Sequence, residues 1–122
     1  MKILFVDDSE DYRIMLRLWL GKTNHEHVIT KSVTEAKEIL LSQNFDLIIC
    51  DLLMPEFSGI MMLEHIEKSQ IKTPIAIVSV LEEMDYPHNY NIENRYVKPT
   101  NWSGLENIIN IIVNKFNLLK NN

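Results

Sequence analysis

The chain has 122 residues, a length for one domain with a core of its own, and 46% of them are apolar, which excludes a disordered polar chain. The formal charge of −5 argues against direct DNA binding and against attraction to an anionic membrane surface. A single cysteine, Cys50, excludes an internal disulfide and fits a reducing, cytoplasmic setting; no apolar run reaches the roughly 18 residues of a membrane span. Met1-Lys2 leads straight into a strand without a signal-peptide pattern, and residues 1–122 read as one domain with no linker or repeat.

Ile3-Leu4-Phe5-Val6 is an apolar run read as the first strand, and it ends in Asp7-Asp8-Ser9-Glu10-Asp11. Ser9 suits an N-cap, and the acids suit a helix start. The first helix runs from about Glu10 to Leu20, with Ile14, Met15 and Leu18 as its apolar stripe and Gly21 as its stop. Val28-Ile29 lies in a short second strand. Ser32-Val33-Thr34-Glu35 has the capping-box pattern, opening a second helix with Ala36, Ile39 and Leu40 inward. Leu47-Ile48-Ile49-Cys50 is an apolar run without alternation, as in a strand buried on both faces, and it ends in Asp51. Met54-Pro55 and Ser58-Gly59 signal a loop. A third helix then carries Ile60, Leu63 and Ile66. Ile75 to Ser79 is the fourth strand. Val80 to Asn94 holds Pro87 and little periodicity, so a fourth helix there is expected to be short or irregular. Tyr96-Val97 is a brief fifth strand before Lys98-Pro99. The last helix lines Leu105, Ile108, Ile109, Ile112, Val113 and Phe116 along its inner face.

Strand and helix alternate about five times, which implies an α/β fold with a parallel sheet covered on both faces. Five units are too few for an eight-unit barrel. The expected architecture is a doubly wound five-stranded sheet of order 2-1-3-4-5, with strands 1 and 3 adjacent at the switch point. That order gathers Asp7, Asp8, Asp51, Ser79 and Lys98 at one edge. Three clustered carboxylates repel unless a cation is present, and their hard oxygens suit Mg²⁺. No histidine or second cysteine is spaced for zinc or copper. Lys98 and the Ser79 hydroxyl could contact phosphoryl oxygens. The chemistry implied is phosphoryl transfer onto Asp51.

These residues carry a resemblance. Phe5-Val6-Asp7-Asp8, the stretch Asp46 to Pro55 with Gly59, Ser79 after a β-run, and Lys98-Pro99 together resemble the receiver domain of two-component response regulators, with a flavodoxin-like, CheY-like fold. The resemblance spans nearly the whole chain. It implies a phosphoprotein that takes its phosphoryl group on Asp51 from a histidine kinase or histidine phosphotransfer protein. It implies Mg²⁺ on Asp8, Asp51 and the backbone carbonyl of Leu53, with Asp7 acting through water. Ser79 and Lys98 would hold the phosphoryl group, and the bond before Pro99 would be cis. Such a domain catalyses only its own phosphorylation and slow dephosphorylation and is not otherwise an enzyme. With no effector domain expected after the last helix, its output would be contact with a downstream protein effector, a phosphorelay step, or a domain outside this sequence.

The chain departs from the family pattern at four places. Arg95 stands where an aromatic switch residue is usual, and Tyr96 falls on the opposite strand face. Val80 replaces a smaller residue after Ser79. The Ser79–Lys98 stretch is short, and Thr100 replaces a phenylalanine. These motivate the alternative of a degenerate receiver, an interaction module independent of phosphate. Leu53 and Leu81 cannot orient an attacking water, so a phosphoryl group would be long-lived. A phosphohydrolase with an aspartyl nucleophile is a remoter alternative, because its Asp-x-Asp motif would need an acid at Ser9. A flavin site lacks its phosphate cradle. Elsewhere, Cys50 reads as an inert core residue and Met61-Met62 as core filler. His25, His27, His65 and His88 read as surface residues, and Trp19 and Trp102 as partly buried.

Overall fold

The computed structural model describes residues 1–51, 58–79, 95–99 and 101–120. Five strands, β1 (Lys2–Val6), β2 (Glu26–Thr30), β3 (Leu47–Cys50), β4 (Ile75–Ser79) and β5 (Arg95–Val97), form one parallel sheet in the order β2-β1-β3-β4-β5. The pairing is in register throughout, with Val6 opposite Thr30 and Cys50, and Ser79 opposite Val97. β1, β2 and β3 therefore end together, whereas Cys50 is opposite Ile77 and β4 and β5 run two residues further; the residues that close the strands share one rim. The doubly wound order expected from the sequence is observed.

Among the described residues there are four helices: α1 (Glu10–Leu20), α2 (Val33–Leu40), α3 (Ser58–Lys68) and α4 (Trp102–Lys120). The short fourth helix expected between β4 and β5 lies outside the described residues. Period-2 alternation sorts the strand side chains onto two faces. Ile3, Phe5, Leu47, Ile49, Ala76 and Val78 pack against α1 and α4. Leu4, Val6, Ile48, Cys50 and Ile77 pack against α2 and α3. Both faces are covered, which explains why β1 and β3 lack polar alternation.

Local chemistry sets the helix starts. Ser9 and Ser32 are extended N-caps whose hydroxyls accept from the Tyr12 and Glu35 amides. The phase of α1 differs from expectation. Ile14 and Leu18 are exposed, whereas Leu16, Trp19 and Leu20 are buried. Apolar residues lie on both flanks of this helix, and the flank with tryptophan hides more area. Trp19 is thus a core residue, not a half-exposed one, while Trp102 is partly buried. Gly21 caps α1 with φ −62°, so no left-handed turn is used. Met62 is in the core, but Met61 is half exposed. His25 stacks on Trp19 with ring centroids 6.1 Å apart and is only partly exposed. Burial and the nearby amino terminus hold its pKa below the usual histidine value.

Candidate functional site

Each strand hands one polar residue to the carboxyl rim. Asp7 follows β1, Thr30 ends β2, Asp51 follows β3, Ser79 ends β4 and Lys98 follows β5. All five are buried. Backbone bonds pin them: Asp7 N–H donates to Thr30 O at 3.1 Å, Asp51 N–H to Val6 O at 2.8 Å, and Lys98 N–H to Ser79 O at 2.7 Å.

The side chains converge. Asp7, Asp8 and Asp51 offer carboxylate oxygens within 4.8 Å of one another. Asp8 is exposed, while Asp7 and Asp51 are buried. The Lys98 ammonium lies 2.9 Å from Asp7 Oδ2 and 3.2 Å from Asp51 Oδ2. Burial by itself would lower the Lys98 pKa, but Asp7 first and Asp51 second outweigh it, and the ammonium is held above its ordinary value. A buried lysine between two carboxylates is thus charged at neutral pH. Asp7 is in turn held by a backbone donor: Ser9 N–H donates to Asp7 Oδ1 at 2.9 Å.

The Ser79 hydroxyl is buried and has no hydrogen-bond partner among the described residues. An orphaned buried hydroxyl is costly and fits a group that a ligand satisfies. The three acids form an all-oxygen donor set without nitrogen or sulfur, which suits a hard divalent cation such as Mg²⁺. Cys50 faces the interior, where burial pushes its thiol far above the ordinary value, and its Sγ lies 3.2 Å from Asp51 O.

The sequence-derived residues Asp7, Asp8, Asp51, Ser79 and Lys98 are therefore all found at one rim. Leu53, Val80, Leu81 and Thr100 lie outside the described residues, as does His88. Tyr96 is partly buried and packs into the α1–α4 cluster, with β4 and β5 in uninterrupted register. The bond before Pro99 is a correction: no peptide bond among the described residues is cis, so Lys98–Pro99 is trans, the form an X–Pro bond prefers by about 0.5–1 kcal/mol. Pro99 lies against the start of α4. A Cβ on Gly104 would come within 2.9 Å of Pro99 Cβ, and the Gly104 amide donates to Asn101 Oδ1 at 2.7 Å.

Three neighbours of the site escaped sequence reasoning. Thr30 donates its hydroxyl to Phe5 O at 2.7 Å. Arg13 Nη1 donates to Asp7 O at 3.0 Å. The Tyr12 ring lies under the Lys98 ammonium, 3.8 Å from Nζ to centroid. Threonine at a strand end is a usable signal, since β2 lies beside β1 and its last residue stands next to Asp7. Tyr12 gave no comparable signal.

This rim and fold define a class. A family model described as the response regulator receiver domain matches residues 3–107. The chain belongs to the response regulator receiver domain family. It is 34% identical over 83 residues to the Regulator of RpoS of Escherichia coli K12, covering 68% of this chain and 25% of that protein. It is 32% identical over 84 residues to the response regulator protein PilR of Pseudomonas aeruginosa, covering 69% of this chain and 19% of that protein. The matched part thus spans a quarter or less of these curated relatives. Among solved structures, the chemotaxis response regulator CheY4 of Vibrio cholerae superimposes with a TM-score of 0.75 at 27% identity, covering 91% of this chain and 97% of that one. The response regulator TrrA of Thermotoga maritima, in complex with Mg²⁺-BeF, gives a TM-score of 0.72 at 25% identity, covering 89% and 96%. The family is that of two-component signalling, whose receiver domains are signalling modules. No described helix is long and apolar enough to cross a membrane.

Proposed function

We propose that residues 1–122 form one receiver domain that accepts a phosphoryl group on Asp51 and signals by protein contact. The observation that carries this reading is the convergence of Asp7, Asp8 and Asp51 within 4.8 Å, with the Lys98 ammonium 3.2 Å from Asp51 Oδ2. The donor would be a phosphohistidine of a histidine kinase or phosphotransfer protein. A carboxylate oxygen of Asp51 attacks phosphorus, the P–N bond breaks and an acyl phosphate forms. Lys98 holds positive charge where phosphoryl oxygens gain negative charge, and the Ser79 hydroxyl donates to one of them.

Asp8 and Asp51, with the Leu53 carbonyl, would hold Mg²⁺ directly, and Asp7 through water. When bound, the ion supplies charge neutralisation and orientation for the incoming phosphoryl group. The oxygen-only donor set and the Mg²⁺-BeF complex of TrrA support this assignment. We place the domain in the cytoplasm, with a downstream protein as target, and read its catalysis as confined to its own phosphoryl group.

The test is intact mass after acetyl phosphate and Mg²⁺. The parent chain gains about 80 Da, roughly one phosphoryl group, and Asp51→Asn does not. A gain that persists in Asp51→Asn moves the acceptor elsewhere. No gain in the parent chain, with unchanged spectra on adding Mg²⁺ and beryllofluoride, would favour the degenerate receiver.

A further inference from the structure

The Lys98 ammonium lies against two carboxylates and an aromatic ring. Its Nζ lies 3.8 Å from the Tyr12 ring centroid, much closer than Lys2 to Phe45 at 5.1 Å or Lys22 to Trp102 at 5.2 Å. All three fall within the roughly 6 Å reach of a cation–π contact, which is strongest where the cation is desolvated. Lys98 is 6% exposed, so its contact is of that desolvated kind.

The ring is held by its own helix. The Tyr12 amide donates to the Ser9 cap at 3.4 Å, and the side chain packs into the cluster anchored by Leu16 and Trp19. Tyr12 also lines, with Asp7, Asp51 and Val78, a cavity of about 20 Å³ directly beneath the rim. Burial raises the Tyr12 pKa, Lys98 opposes this, and Asp7 and Asp51 add to it, so the phenol stays neutral at physiological pH.

We propose that Tyr12 is a positioning residue of this site, its ring fixing the Lys98 ammonium over Asp7 and Asp51. A lysine is a compact charge on a flexible stem with several rotatable bonds. Two carboxylates attract it, and the ring adds a third contact that restricts the swing of the stem. The functional consequence rests on the reading of Asp51 as phosphoacceptor, whereas the contact itself does not. When Asp51 carries a phosphoryl group, the ring keeps the ammonium within reach of the new oxygens. Tyr12 thereby speeds phosphoryl transfer without touching the reacting atoms.

Two measurements test this. In NMR of the parent chain, the Lys98 ε-methylene protons are shifted upfield by the ring current relative to the other lysines. The shift survives in Tyr12→Phe and disappears in Tyr12→Leu. This arm needs neither metal nor phosphate, and an unshifted Lys98 in the parent chain overturns the proposal without any variant having to fold. In the second arm, acetyl phosphate and Mg²⁺ label Tyr12→Phe within about twofold of the parent rate and Tyr12→Leu about tenfold more slowly, in line with a desolvated cation–π contact. Parent-like labelling of Tyr12→Leu overturns the positioning role. If the parent chain is not labelled while the ring-current shift is present and ring-dependent, the contact stands and the phosphoacceptor reading fails.

Discussion

The two ends of the sheet share one core and treat polar groups in opposite ways. At the carboxyl rim, Asp7, Thr30, Asp51, Ser79 and Lys98 are buried. At the amino end, polar groups stay near water and close on one another locally. The Lys2 amide donates to Asp46 Oδ2 at 2.8 Å, the Thr73 hydroxyl to Phe45 O at 3.3 Å, and the terminal ammonium faces His25 Nδ1 at 3.3 Å. All are partly buried or half-exposed contacts. Burying charge is expensive, and a buried pair seldom adds net stability over an apolar alternative. The amino end follows the inexpensive rule. The carboxyl rim breaks it with three charges in one place, Asp7, Asp51 and Lys98, as local rules give way at functional sites.

The largest test of this contrast is Lys98→Met, which removes the cation that both Asp7 and Asp51 face. Loss of one partner from a buried ion pair costs about 3–5 kcal/mol. Urea unfolding without divalent cation should show a loss of that size. Adding Asp51→Asn to Lys98→Met should recover part of it, because one buried charge is then gone. An exposed pair offers the control. Lys22 and Glu106 lie 3.7 Å apart with the lysine side chain 61% exposed, so Lys22→Met should cost no more than about 1 kcal/mol. Equal costs for the two lysine variants would dissolve the distinction between rim and surface.

Thr30→Val gives a smaller effect at the same rim. It keeps the shape but removes the hydroxyl that donates to Phe5 O at 2.7 Å in a buried position. The expected cost is about 1–3 kcal/mol, from an acceptor left without that donor, again read by urea unfolding. Asp7 shares this corner, since its amide donates to Thr30 O. A loss no larger than a few tenths of a kcal/mol would mean that the β2–β1 corner contributes little to holding Asp7.

How much of this was legible follows from which forces are local. The runs Ile3–Val6, Leu47–Cys50 and Ile75–Ser79, each closed by a polar residue, carried both the strand order and the meeting of the acids, because burial on both faces leaves an unbroken apolar signature. The caps at Ser9 and Ser32 are equally local. The phase of α1 was not legible. Ile14 and Leu18 compete with Leu16, Trp19 and Leu20, and only packing against α4 and the sheet decides between them. The isomer of Lys98–Pro99 rests on a preference of under about 1 kcal/mol, which surroundings set. The Tyr12–Lys98 contact joins residues far apart in sequence, and neither a helical tyrosine nor a lysine after a strand marks the other.

The smallest effect belongs to the amino end and sharpens the contrast from the other side. His25 lies 3.3 Å from the terminal ammonium and stacks on the buried Trp19. Burial, then repulsion by that ammonium, lowers its pKa in the folded chain. A base with a depressed folded pKa takes up fewer protons folded than unfolded, so stability falls as pH drops through the ordinary histidine range near about 6.5. His25→Gln removes that dependence while keeping a polar side chain. Thermal unfolding from pH 7.5 to 5.5 should show the parent losing about a few tenths of a kcal/mol more than His25→Gln, the scale of an exposed charge contact. A difference as large as that of Lys98→Met would place a second buried-charge centre at the amino end; a difference of opposite sign would mean the terminal ammonium and the imidazolium do not oppose each other at all.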